Sequence, residues 1–418
     1  MTASAIKDHW ATRVVLVLLV LVGIYGCGGS PRIVVVSPQG NIVFTSSRAL
    51  NGSDAANAAT NIWLTDSTGT SARALAGLSN ASSASPAWSP NGAKIAFESF
   101  RALDGSSIGI PAANIWVMNA DGSNATPLTR LTADQISSLH SAWSPDGTKI
   151  AYDSTRVLDG RNIPGFNVNI WVMNADGSNA TPLTTLRASL ASSVTPVWSP
   201  DGTRIAFTSS RALSGVDAAI PTRNVWVMNS DGTGAQPLTK LTVAASSAPA
   251  WSPDGTKIAY VSARALDGTN NAGSPNIWVM NADGSGSRPL TALTSIYNMS
   301  TDGPVWSPDG SKILFVSSRA PDGSDNGSAI MNIWVMNADG TGARPLTSLI
   351  TASSYQPTWS SAGSKILFCS SRALDGSDTP NANSTLNIWV MNSDGTGAKP
   401  LTRSTAPGAD NAGPQSTQ

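Results

Sequence analysis

Short apolar runs alternate with tight polar turns along nearly the whole chain, and no long helical stripe interrupts them. One stretch shows the pattern. Pro196-Val197-Trp198 is apolar, Ser199-Pro200-Asp201-Gly202 is polar, and Arg204 to Thr208 carries the continuous run Ile205-Ala206-Phe207. A polar loop from Arg211 to Arg223 leads to Asn224-Val225-Trp226-Val227-Met228, then Asn229-Ser230-Asp231-Gly232, then Gln236-Pro237-Leu238-Thr239. Both turns end in Asp-Gly, residues that tolerate the backbone angles of tight hairpins. The stretch therefore predicts a strand either side of each turn, with Pro237 marking the last as an edge strand, where a missing N–H costs no ladder bond.

The same grammar repeats. Trp-Ser-Pro-Asp-Gly stands at Trp143, Trp198, Trp251 and Trp306, with variants at Trp88 and Trp359. Asn-Ile-Trp-Val-Met-Asn or a close form surrounds Trp116, Trp171, Trp226, Trp278, Trp334 and Trp389, with a degenerate copy at Trp63. Equivalent Trp residues lie 52 to 56 positions apart. Val36-Ser37-Pro38-Gln39-Gly40 fits as a further copy of the first marker with its Trp replaced, which makes seven units from about Arg32 to Arg403. Repeats of four antiparallel strands, packed face to face about an axis, are the blades of a propeller. The predicted fold is an all-β, seven-bladed β-propeller over residues 32–403, followed by a polar tail at 404–418 expected to be disordered. Each unit holds its own four strands, so no spare strand is left to clasp the ring, and closure is expected to rest on packing between blades 1 and 7.

These two markers resemble the WD40-like propeller repeats of the TolB family, over about nine-tenths of the chain. The resemblance implies the propeller fold. It says little about activity, because propellers host many unrelated functions. TolB-like translocation proteins carry an α/β domain ahead of six blades, whereas here seven repeats follow almost directly on the N-terminal segment.

That segment reads as targeting. Lys7 and Arg13 precede an unbroken apolar run from Val14 to Val22, the length of a signal-peptide core and too short for a mature membrane span. Ile24-Tyr25-Gly26-Cys27 resembles a bacterial lipobox, so residues 1–26 are expected to be a lipoprotein signal peptide. Cys27 is the expected lipid attachment site, with residues 27–31 as the tether and the periplasmic side of the outer membrane as the location. Only Cys369 then remains; inside Ile366-Leu367-Phe368 it reads as a buried small hydrophobe with no disulfide partner. Lys plus Arg equals Asp plus Glu at 26 each, so no basic excess exists to neutralise phosphates, and nucleic acid is excluded as a partner.

Candidate chemistry is sparse. Thirteen of the 14 Trp occupy repeat positions and read as core between blades. Seven Arg in register (Arg48, Arg101, Arg156, Arg211, Arg264, Arg319, Arg372) open the long loops, where each is expected to bond local carbonyls or a neighbouring Asp. An anion-holding ring is the alternative. Asn/Asp-Gly-Ser-Asp in blades 1, 6 and 7 brings Asp54, Asp322, Asp325, Asp375 and Asp378 forward as a thin calcium lead, since calcium favours clustered Asp and Asn oxygens. Catalysis has one lead: Glu98 and Asp153 end second strands where other blades place Thr, Val or Cys, and His140 lies in the link before blade 3. Two carboxylates on adjacent blades could form an acid/base pair. The blander expectation is that each pairs with a loop Arg, because carboxylates inside β structure need a partner. The reading that fits best is a monomeric, non-enzymatic envelope lipoprotein without cofactor, binding a protein or glycan through its long-loop face. The alternative is a polysaccharide hydrolase or lyase with its site near blades 2 and 3.

Overall fold

The computed structural model describes residues 40–416 apart from 107, 135, 160–163, 189–190, 216–218, 295–302 and 325–328. The predicted signal segment, Cys27, the tether and Val36 lie outside the described residues. The chain forms seven four-stranded sheets, every neighbouring pair antiparallel. In blade 4, Ser193–Trp198 pairs with Arg204–Arg211, which pairs with Ala219–Asn229, which pairs with the short outer strand Gln236–Pro237.

The core lies between blades rather than within them. Ala151, Ile170 and Val172 of blade 3 close onto Trp198, Ile205, Phe207, Trp226 and Met228 of blade 4. Val43, Ile62 and Leu64 of blade 1 meet Trp88, Ile95, Phe97, Trp116 and Met118 of blade 2 in the same way. This packing explains why near-continuous apolar runs form strands here: a middle strand is covered on both faces. The third-strand Trp residues are fully buried in all seven blades. Most first-strand Trp residues also hold the preceding blade: the indole N–H donates to Ala142 O from Trp198 (3.1 Å), to Val197 O from Trp251 (3.2 Å) and to Ala250 O from Trp306 (3.1 Å).

The first Asn of each Asn-Ile-Trp-Val-Met-Asn copy is buried and satisfied. Asn114 donates to Leu131 O (2.9 Å) and accepts from Leu131 N (2.7 Å) and the Thr129 hydroxyl (2.9 Å). The same clamp recurs at Asn169, Asn224, Asn276, Asn332 and Asn387. It binds each outgoing link to its own blade, and a buried amide needs such partners to be tolerated.

Ring closure departs from expectation. Within the stretch 404–418 expected to be a disordered tail, Asn411–Ser416 is instead the fourth strand of blade 1, paired antiparallel with Ile42–Arg48. The first strands of successive blades adjoin one another around the ring, and Asn411–Ser416 stands between those of blades 7 and 2. It is therefore the innermost strand of blade 1, in the register the Val36 segment was expected to fill. Ile42 faces Ser416 where Ile95 faces Trp88, so Ser416 occupies a Trp position. A clasp strand exists after all, and blade 1 is assembled from both ends of the described chain.

Polar bonds hold this seam. Asp54 accepts from Thr405 N (2.9 Å), the Thr405 hydroxyl (2.5 Å) and Ala406 N (3.1 Å). Ser47 donates to Gly408 O (2.5 Å), Leu386 N donates to Asp410 (2.8 Å), and Gly413 N donates to Gln356 Oε1 (2.8 Å).

Candidate functional site

Strand order puts the two short turns of every blade on one face of the disc and the long loops and inter-blade links on the other. Three features merit description: a polar cluster in blades 2 to 4, the ring of loop Arg, and the surface of the long-loop face.

The polar cluster begins with backbone geometry. Six first strands contain one residue in the left-handed region: Ser85, His140, Thr195, Ala248, Gln356 and Gly413, with φ from 51° to 59°. Each sits at a register break in its strand pairing, as between Leu139 and Ala142. At His140 the backbone N–H donates to Glu98 Oε1 of the preceding blade (2.8 Å), and at Thr195 it donates to Asp153 Oδ2 (2.9 Å). His140 Nδ1 lies 2.7 Å from the same Asp153 oxygen. The structure thus joins all three residues of the catalytic lead. It places His140 inside the first strand Ser138–Trp143, not in a link. Glu98 and Asp153 accept backbone N–H bonds across blade boundaries, partners that were not expected from the sequence. Two further blade 3 groups went unnoticed in the sequence: the Ser141 and Tyr152 hydroxyls are buried without a hydrogen-bond partner among the described residues. Burial pushes the Tyr152 phenol up to about 12. Ser141 replaces a Pro present in other blades and Tyr152 replaces Phe97 or Phe207, which was the available signal.

The loop Arg residues stack. Each guanidinium lies over the third-strand Trp of its own blade: 4.0 Å from the ring centre for Arg48 on Trp63, 4.5 Å for Arg101 on Trp116 and 4.0 Å for Arg372 on Trp389. Arg156, Arg211, Arg264 and Arg319 repeat the contact at 4.0, 5.0, 3.9 and 4.7 Å. The expected carbonyl bonds are secondary: Arg211 donates to Gly215 O and Arg319 to Gly323 O. Burial lowers the pKa of Arg48, Arg101 and Arg372, and nothing in this arrangement points the seven cations at a common ligand. A cation over an indole contributes roughly 0.5–2 kcal/mol, and here it plugs the top of each blade.

The acidic loops serve turns and links. Asp378 accepts from Ile350 N (2.7 Å), Thr351 N (3.2 Å) and Ala352 N (3.4 Å), the role Asp54 plays at the seam and Asn270 plays toward Thr242, Val243 and Ala244. Asp322 and Asp375 cap their own turns at Ser324 N and Ser377 N, both 2.8 Å. Asp325 lies outside the described residues. No three acidic, His or Cys side chains converge as a metal site among the described residues. Cys369 is buried and forms no disulfide among the described residues.

The long-loop face has one feature the repeat does not dictate. Among the described residues the exposed large hydrophobics are Phe100, Ile108, Val243 and Ile350, at 41, 67, 63 and 71% exposure. All four sit in long loops, inter-blade links or the strand end beside them. Phe100 and Ile108 flank the same blade 2 loop. Asn270 and Asp378 brace the link backbones that carry Val243 and Ile350.

Comparison with known proteins supports the fold and divides on activity. Residues 216–416 match the model of the TolB beta propeller domain. The Tol-Pal system protein TolB of Anaeromyxobacter dehalogenans is 37% identical over 111 residues, 27% of this chain and 21% of that protein. The uncharacterized peptidase YuxL of Bacillus subtilis is 34% identical over 119 residues, 28% of this chain and 16% of that protein. The matched region thus spans about a fifth of these relatives' length or less. Among solved structures, the propeller domain of the Trilobed protease from Pyrococcus furiosus is similar with a TM-score of 0.55, at 11% identity over 90% of this chain and 100% of that one. Oligogalacturonate lyase from Vibrio parahaemolyticus gives 0.53 at 13% identity, covering 78% of this chain and 87% of the other. The Pyrococcus propeller is described as having an open velcro topology. The present ring differs in being clasped by Asn411–Ser416.

Proposed function

We propose that this TolB-like propeller is a non-enzymatic scaffold of the cell envelope, lipid-anchored through Cys27, that docks a protein partner on its long-loop face. The observation that carries the reading is the segregation of exposed apolar side chains: Phe100, Ile108, Val243 and Ile350 all fall on that one face. Contiguous exposed apolar surface marks interaction sites, and Phe100 and Ile108 flank one and the same loop. Links braced by Asn270 and Asp378 present Val243 and Ile350 with little further ordering to undergo, which lowers the entropic cost of docking. The apolar content favours a protein over a glycan on this face. Glu98 and Asp153 already accept backbone N–H groups across blade boundaries, which weighs against a polysaccharide-cleaving site in blades 2 and 3.

Photo-crosslinking residues placed at Ile108 and Ile350, against Asp231 and Asp394 on the short-turn face, test this in intact cells. Protein adducts from the first pair alone are expected; adducts from the second pair alone would overturn the reading. Anchoring is checked by growth in labelled palmitate, where Cys27→Ala should lose the label and leave the membrane fraction.

A further inference from the structure

On the opposite face, independent of the docking surface just described, one repeat Trp packs against the core but is less completely covered than its equivalents. Trp88, Trp198, Trp251, Trp306 and Trp359 are each 9% exposed or less, whereas Trp143 is only partly buried. It lines a cleft of about 470 Å³ between the short turns of blades 2 and 3, with Asn91, Ala93, Lys94, Asp146 and Asp176 around it.

The turn of blade 2 differs from its equivalents in the residues that border this cleft. Blades 3, 4 and 5 carry Thr148, Thr203 and Thr256, each donating its hydroxyl to the turn Asp at 2.8 to 2.9 Å. Blade 2 carries Ala93 and Asn91 instead, both exposed, so the branched side chain and its bond are missing beside Trp143. The basic residue after the turn is tied down in some blades and not in others. Arg204 lies over Trp251 at 4.8 Å and donates to Ala282 O, closing the equivalent junction between blades 4 and 5. Lys257, Lys312 and Lys365 are tied to strand-three Asn residues of their own blades. Neither Lys94 nor Lys149 makes such a bond among the described residues, and the charge of Lys94 acts across the cleft on Asp176 as that of Lys149 acts on Asp231.

We infer that this cleft is a binding site for a pyranose sugar. A partly exposed indole flanked by cationic and amide donors on one side and carboxylate acceptors on the other fits one ligand class better than its rivals. A simple cation meets Lys94, and a simple anion meets Asp146 and Asp176. A sugar ring presents an apolar C–H face to the indole and hydroxyls that both donate and accept at its rim, the mixture of apolar floor and few polar groups that small-ligand sites use. Asp146 and Asp176 stay ionised at neutral pH, held below the usual carboxylate range chiefly by bonds from Ser144 and Ser178, and each retains acceptor capacity.

The test is saturation-transfer NMR on the full chain with tetrasaccharides of glucose, mannose and N-acetylglucosamine. At least one should show saturation of its ring protons. Ala93→Thr restores the residue of the other blades without removing any core group, so its thermal midpoint should not move. It should weaken binding about tenfold or more, as should Lys94→Ala. Absence of transfer to all three sugars overturns the site, and so does transfer unchanged in both variants.

Discussion

The ring departs from its repeat in two sectors, blades 7–1 and blades 2–3, and the departures differ in kind. At the 7–1 seam the first-strand Trp is missing, but compensating bonds have gathered: Asp54 to Thr405 and Ala406, Ser47 to Gly408, Gln356 to Gly413. In blades 2–3 part of the change is likewise architectural, since Glu98 reaches His140 N. The rest mends nothing. Phe100 and Ile108 are exposed on one face, and Trp143 is partly uncovered on the other. A broken repeat that is bonded back together is a solution to closure. One that leaves apolar surface in water points to a partner.

That contrast is broken most directly by shortening the chain. Ending it after Asp410 removes the clasp strand and leaves Ile42–Arg48 unpaired along one edge, so the thermal midpoint should fall more than for any single substitution. A truncated protein that melts like the full chain would show that the seam closes by packing alone. Next in size is Trp198→Ala, which empties a well-packed site between blades 3 and 4; calorimetry should find a loss of roughly 3–5 kcal/mol.

Asp54→Asn should cost less, about 1–2 kcal/mol in chemical denaturation, because it weakens charge-assisted bonds at an exposed site. Its pH dependence has a definite sign. Partial burial opposes ionisation of Asp54, but bonds from Thr405 and Ala406 and the charge of Arg48 hold its carboxyl below the usual carboxylate range in the folded protein. The stabilisation is then complete above the unfolded value near pH ~4 and is lost as pH falls through the lower folded value. Acid titration should therefore separate wild type from Asp54→Asn at neutral pH and bring them together in strong acid. Smallest of all, Phe100→Ser should change stability by no more than about 0.5 kcal/mol, the usual range for surface positions.

Much of the fold was legible because each marker has one physical task. The Trp of each copy fills an inter-blade gap, the Asp-Gly supplies a hairpin, and the Asn clamps a link, so all three recur at fixed spacing. Asn411–Ser416 was illegible because it has neither Trp nor Asp-Gly. Its trace is Ala412-Gly413-Pro414, which matches Ala84-Ser85-Pro86 of blade 2, with Gly413 at the left-handed position. The carboxylates at Glu98 and Asp153 stood out in the sequence, but their partners did not: a backbone N–H turned outward by a left-handed residue leaves no side-chain signature. Exposure of Trp143 was hidden for the opposite reason, since a repeat makes every copy look alike. Its nearest clue was Ala93, the one position of that turn without a hydroxyl among blades 2 to 7.

The central claim is that the apolar long-loop surface of blade 2 is there to bind rather than to fold. It is tested most directly by measuring two properties of Phe100→Asp/Ile108→Asp together: the thermal midpoint, and photo-crosslinking from Ile350 in cells. The account predicts an unchanged midpoint and a lost protein adduct. A midpoint lowered as far as that of Trp198→Ala, with the adduct retained, would contradict it.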